Sequence, residues 1–142
     1  MVSERLRPFQ TTLQKADDWM RFMMRELGTD NPQEAYHAMK AALHTLRDRL
    51  IPNECAHLAA QLPMLIRGLY FEGWDPDKTP TDVDTEEEFL QEISLRLQPG
   101  PPIDPHEAAR AVFHLLQANV TAGEIKDVRD MLPKQLEKLW AA

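Results

Sequence analysis

The chain is poor in several residue types, and each shortage excludes something. Its one cysteine, Cys55, cannot form an internal disulfide. No run of about 18 apolar residues exists to cross a bilayer as a helix. Met1 to Phe9 is polar and lacks the apolar stretch of a secretory signal, so a soluble cytoplasmic protein is expected. None of the five glycines belongs to a phosphate-cradling loop or a dinucleotide fingerprint. Aromatics are only 7% of residues and Lys/Arg never cluster, so there is no basic surface to release counterions from phosphates. Nucleic acid is therefore not an expected partner, and anionic membranes are disfavoured for the same reason. No segment alternates with period two among β-branched residues, so no sheet is expected. No nucleophile, base and orienting group can be assembled from the motifs, so neither an enzyme nor a cofactor is expected.

What remains is 142 residues, 43% of them hydrophobic, enough for one compact domain with a real core. The net charge of −7 is unevenly placed. Residues 1–73 balance nine Lys/Arg against nine Asp/Glu, whereas residues 74–142 carry seven against fourteen. Much of the excess runs from Asp75 through Glu86, Glu87 and Glu88 to Glu92. Such a balance argues for solubility rather than for any fold.

The apolar residues recur at three and four positions, the period of a helix face. Leu13, Ala16, Met20, Met23 and Leu27 mark a first helix. Met39, Leu43, Leu46 and Leu50 mark a second, and Cys55, Leu58, Leu62, Leu65 or Ile66, and Leu69 a third. Start and stop residues agree. Asn31-Pro32 with Glu34 supplies a cap, a first-turn proline and a first-turn carboxylate, Pro52 and Glu54 reproduce part of that pattern, and Gly28 is a stop.

The second half repeats the first. At a shift of 70, residues 38–71 align with 108–141 without a gap, and eight of 34 positions are identical. They include His44/His114, Glu54/Glu124, Leu62/Leu132 and Pro63/Pro133. Ordinary residue usage gives about two. Thr121-Ala-Gly-Glu124 has the spacing of a capping box. Asp104-Pro105 matches Asn31-Pro32 at a shift of 73 instead, which predicts a middle helix starting about one turn later in the second copy.

The expected architecture is all-α: a single-domain six-helix bundle built from two three-helix repeats with pseudo-two-fold symmetry. An N-terminal arm spans 1–10, the first repeat 11–72, a linker 73–81 and the second repeat 82–142. A unit of this size alone has a marginal core, so the two are expected to share one. Each third helix carries Leu-Pro inside it, and an interior proline kinks a helix or starts a new one.

Two stretches carry a family resemblance. Leu58-Ala-Ala-Gln-Leu-Pro-Met-Leu-Ile-Arg-Gly-Leu-Tyr-Phe-Glu-Gly-Trp-Asp-Pro76 resembles the signature of a bacterial family known only as domain of unknown function 2267. Gly123-Glu-Ile-Lys-Asp-Val-Arg-Asp-Met-Leu-Pro-Lys-Gln-Leu-Glu-Lys-Leu-Trp140 resembles its C-terminal stretch. The resemblance runs from about residue 11 onward. It implies an all-helical, cytosolic bacterial protein, some of whose relatives are associated with stress-response proteins. It carries no activity, substrate or catalytic residue.

Several constellations invite chemistry. Glu34-Ala-Tyr-His37 and Glu54-Cys-Ala-His57 have the spacing of a di-iron pair, but each glutamate lies in a first helical turn, where capping is expected, and the second copy lacks the histidines. No metal site is assigned to them. His44 and His114 are the histidines preserved between copies, and a pair near the symmetry axis is a candidate ligand-binding site. Asp75-x-Asp77-x-Thr79 with Glu86 mimics a calcium loop, but Pro80 stands where that loop needs glycine. Cys55 reads as a buried structural thiol. Tyr70, Phe71 and Trp74 either anchor the linker or form an aromatic hot spot for a partner.

The leading expectation is a non-catalytic helical interaction protein, in keeping with a stress-response role, with a protein partner held at Trp74 or in a groove between the repeats. The alternative is a small-ligand or metal-binding helical domain with a site at the repeat interface near His44 and His114. The sequence leaves the oligomeric state open.

Overall fold

A computed structural model describes residues 6–141. Among them the chain forms eight α-helices, two short 3-10 turns and no strand. No helix among the described residues is long and apolar enough to cross a membrane. The all-α expectation therefore holds, but the helix count does not.

α1 (Arg7–Leu27) begins four residues before the expected boundary, so residues 7–10 of the supposed arm are helical, and residues 1–5 lie outside the described residues. Pro8 sits in its first turn, where a missing N–H costs nothing. Gly28 ends it in the left-handed region at φ 66°, where its N–H reaches the Arg25 carbonyl and that of Thr29 the Met24 carbonyl. α1 buries Ala16, Trp19 and Met23, whereas Leu13, expected on the core face, is 38% exposed.

α2 (Pro32–Arg49) is capped by Asn31, whose side chain accepts from the Gln33 N–H at 2.9 Å. It is the most enclosed part of the first half: every residue from Ala41 to Arg47 is buried. Leu43, Leu46 and Leu50 are wholly covered, each worth about 1.5–3 kcal/mol. The third expected helix is instead two, α3 (Pro52–Ala59) and α4 (Met64–Phe71). Pro63 caps α4, and the chain turns at Ala60–Leu62. The Arg67 guanidinium closes the corner by donating to the Ala59 and Leu62 carbonyls, both at 2.9 Å.

The connection is wrapped on the bundle rather than loose. A 3-10 turn at Pro76–Lys78 is capped by Asp75, the Thr81 N–H donates to the Asp48 carbonyl, and Arg49 Nε donates to that of Val83. α5 (Glu86–Arg96) starts at a complete capping box between Thr85 and Glu88. α6 (Pro105–Asn119) is capped by Asp104. It begins 73 positions after α2 begins and ends 70 after α2 ends, so the late start read from Asp104-Pro105 is present. α7 (Ala122–Met131) stops at Leu132-Pro133, followed by a 3-10 turn at Lys134–Leu136 and α8 (Glu137–Trp140). Leu-Pro thus divides both third helices, which turns six expected helices into eight.

At the centre α2 packs on α6. α1 lies against both, and α5 also lies against both. α3 meets α7 across the seam between the halves. One core takes buried side chains from both halves, among them Trp19, Met23, Leu46 and Tyr70 with Phe89, Phe113, Leu116 and Trp140. Phe113 and Trp140 stack at 4.1 Å between ring centroids.

Candidate functional site

The sequence-derived candidates are placed as follows. His44 is buried, and its Nε2 donates to the Leu69 carbonyl at 2.7 Å. Burial holds its pKa below the ordinary histidine value, against the pull of that carbonyl. His114 sits at 2.5 Å from Glu26 Oε1 through Nδ1 and donates through Nε2 to the Ala141 carbonyl at 2.8 Å. Each ring is thus engaged by a different part of the bundle. Tyr70 has no exposed surface and donates its hydroxyl to the Cys55 carbonyl at 2.9 Å, so it offers nothing to a partner directly. Phe71 packs edge-on against Tyr70, and Trp74 tilts against Phe71 at 5.3 Å. Both are half-buried on the core.

Beneath that linker lies Arg47, 2% exposed. It donates to the Tyr70 and Glu72 carbonyls at 2.7 and 2.8 Å and to the Asp48 carboxylate at 2.8 and 3.2 Å. Arg96 completes the network on Asp48 at 2.7 Å. Burial raises the Asp48 pKa, but the two guanidinium groups outweigh it and leave the carboxyl below its ordinary value. The same region holds Cys55 as a buried thiol, its pKa raised by burial. Asp75 is occupied in capping, accepting from the Asp77 N–H.

The structure gathers one group that the sequence reading did not. Among the described residues, Glu54, His57 and Glu124 form the one cluster of three or more potential ligands, with ligand atoms all within 4.8 Å of one another. The expected capping roles are only partly taken up. α3 has no side-chain cap, and the Glu54 carboxylate is buried. At α7 the Thr121 hydroxyl accepts from the Glu124 N–H at 3.3 Å, which is half of a capping box. The other half is supplied by Gln61, whose carbonyl oxygen accepts from the Thr121 N–H at 2.9 Å. Glu124 is thereby released to face Glu54. Burial, with the Glu54 carboxyl beside it, pushes Glu124 up to about 8. The legible signal was the identity of Glu54 and Glu124 at the repeat shift, the one acidic identity among the 34 aligned positions. Glu34 and His37 do not pair: the Thr29 hydroxyl donates to Glu34, and His37 Nε2 donates to the Leu97 carbonyl.

A second feature lies on the outer face of α1 and α4. An apolar groove of about 430 Å³ is lined by Ala16 and Met20 from α1, Tyr36 and Met39 from α2, and Leu65 and Leu69 from α4, together with Glu72, whose carboxylate is paired with Lys40 at 2.7 Å. Leu65 is 49% and Tyr36 41% exposed, and Phe9 and Leu13 continue the α1 stripe outward at helical spacing. On the other flank of α1 a cleft of about 840 Å³ carries Arg7, Lys15 and Arg67. None of these three cations is in an ion pair among the described residues, and Asp18, the carboxylate lining the same cleft, is paired with Arg21.

Residues 16–139 match an uncharacterised conserved protein family, DUF2267. No curated protein matches the chain.

Proposed function

This chain belongs to the DUF2267 family, and we propose that it is a non-catalytic helical interaction protein whose α1–α2–α4 groove receives an acidic amphipathic helix of a protein partner. The observation that carries this reading is the contrast across α1. An apolar groove lies along one flank of that helix and a cleft carrying Arg7, Lys15 and Arg67 along the other, in a chain of net charge −7. A helix laying its apolar face on Leu13, Leu65 and Tyr36 would bring its carboxylates to those cations. Phe71 and Trp74 serve this surface by anchoring the linker behind it, and His44 ties α2 to the end of α4.

The frame for the groove, in the same reading, is a pair of four-helix units, α1–α4 and α5–α8, related by a pseudo-two-fold axis. It is supported by the reciprocal packing of α1 on α6 and α5 on α2, by the α3–α7 contact, and by the meeting of Glu54 with its own repeat equivalent Glu124.

The test is fluorescence anisotropy with two labelled helical peptides that share one apolar face, one acidic and one basic on the other. The acidic peptide is expected to bind, the basic one not. Leu65→Asp and Lys15→Glu should each weaken binding roughly tenfold or more while helicity by circular dichroism is unchanged. Equal binding of both peptides, or of wild type and Leu65→Asp, would overturn the reading. So would a Leu65-dependent dimer in sedimentation, which would put a second copy in the groove.

A further inference from the structure

We infer that Glu54, Glu124 and His57 form a binding site for one divalent transition-metal ion at the seam between α3 and α7. The two carboxylates are over nine-tenths buried, with residue exposures of 6% and 8%. One oxygen of each, Glu54 Oε2 and Glu124 Oε2, is enclosed and accepts no N–H or O–H from any other residue, so the two carboxyls can bond only each other, through a shared proton. Buried carboxylate oxygens are ordinarily bonded, because water has been stripped from them and nothing else offsets the loss. Among the described residues no lysine or arginine forms an ion pair with either carboxylate. The basic group within ion-pair distance of them is His57, whose Nδ1 stands 3.9 Å from Glu54 Oε1.

The local sequence explains why these atoms meet. Glu54 is the third residue of α3 and Glu124 the third of α7, so both carboxylates sit over first-turn N–H groups that favour negative charge. Gln61 takes the capping bond that would otherwise hold Glu124 back. His57, one turn after Glu54, shares its helix face.

Two carboxylate oxygens and one imidazole nitrogen within 4.8 Å are a borderline donor set. It suits zinc or a neighbouring first-row dication better than calcium or magnesium, which want six or more oxygens. Three protein ligands leave a fourth position for water, and the site is reached from solvent on the side of His57, whose side chain is 67% exposed. Asp127, which stands in the second copy where His57 stands in the first, is one turn after Glu124 and adds negative potential without belonging to the ligand cluster. The site rests on different residues from the groove, so either assignment stands or falls without the other.

The experiment is calorimetric titration of Zn2+ into the metal-free full chain near neutral pH, with Co2+ absorption as a second readout. One Zn2+ per chain is expected, together with the visible absorption of a tetrahedral Co2+ complex. Glu124→Gln and His57→Ala should each weaken binding roughly tenfold or more and abolish the Co2+ bands. His57 is exposed, so its removal leaves the fold intact, and circular dichroism checks this for both variants. A wild-type chain that takes up no stoichiometric Zn2+ would overturn the site and leave a proton shared between the two carboxylates. Uptake unchanged in either variant would also overturn it, by assigning the ion to other surface groups.

Discussion

Arg47 and Glu124 show opposite ways of burying charge in one small protein. Arg47 is enclosed with its donors distributed over two carbonyls and a carboxylate, whereas Glu54 and Glu124 each keep an enclosed oxygen to which no other residue donates. The first arrangement fixes structure; the second leaves room for a ligand. Breaking a buried pair by removing one partner is costly because the other charge stays behind. Asp48→Asn is therefore expected to destabilise the chain by about 3 kcal/mol at neutral pH, measured by urea unfolding. The pH dependence follows from the directions of the shifts. Asp48 is held below its ordinary 3.8, so its contribution is complete above that value and is lost as pH falls through its lower folded value. His44 is held below its ordinary 6.5, so the unfolded chain gains a proton first as pH drops under that value, and stability declines from there. Glu124, raised to about 8, has the opposite sign and adds stability as pH falls from there toward 4.5. The stage of acid weakening assigned to Asp48 is therefore the lower one, below the ordinary carboxylate range, and Asp48→Asn should reduce it. An unchanged lower stage in the variant would assign it to other carboxylates.

Among the helices, proline and glycine mark the points where the path changes. Asn31-Pro32 and Asp104-Pro105 each start a helix with a side-chain cap on the second residue's N–H. Leu62-Pro63 and Leu132-Pro133 each end one and begin another, with Arg67 restoring partners to the freed carbonyls in the first copy. Gly28 closes α1 at φ 66°. A Cβ there would meet nothing within 4 Å, so the whole effect of a side chain is conformational. Gly28→Ala is expected to cost about 1 kcal/mol from left-handed strain, read as a lower urea midpoint with the same slope. A neutral result would mean that the chain reverses after Leu27 by some other turn.

For the molecule as a whole, the decisive fact is that α2 and α6 are each enclosed by helices of both halves. Residues 11–72 expressed alone would leave uncovered the α2 surface that meets α5 and α6. That fragment is expected to show little helix by circular dichroism and to associate as its concentration rises. A monomeric fragment with a cooperative melt would contradict the shared core. The outer groove is different in kind. Its exposed Leu65 and Tyr36 belong to no interior, and their service to a partner is what the peptide titration measures.

The caps at Asn31 and Asp104, the stop at Gly28, the interruption at each Leu-Pro and the late start of α6 were readable in the sequence, because each depends on residues within a turn or two of one another; the count of eight helices and the fate of the Glu54 and Glu124 caps were not. The repeat was readable too, since identities at a fixed shift need no coordinates. Local pattern could not decide which side of a helix would be covered. Leu13 and Leu65 continue apolar stripes yet face outward, because no further helix reaches them. Nor could it decide that Glu124 would leave its own cap and meet Glu54, 70 positions away. That depended on Gln61 arriving from the other half to take the Thr121 N–H, a contact that exists only once α3 and α7 are packed.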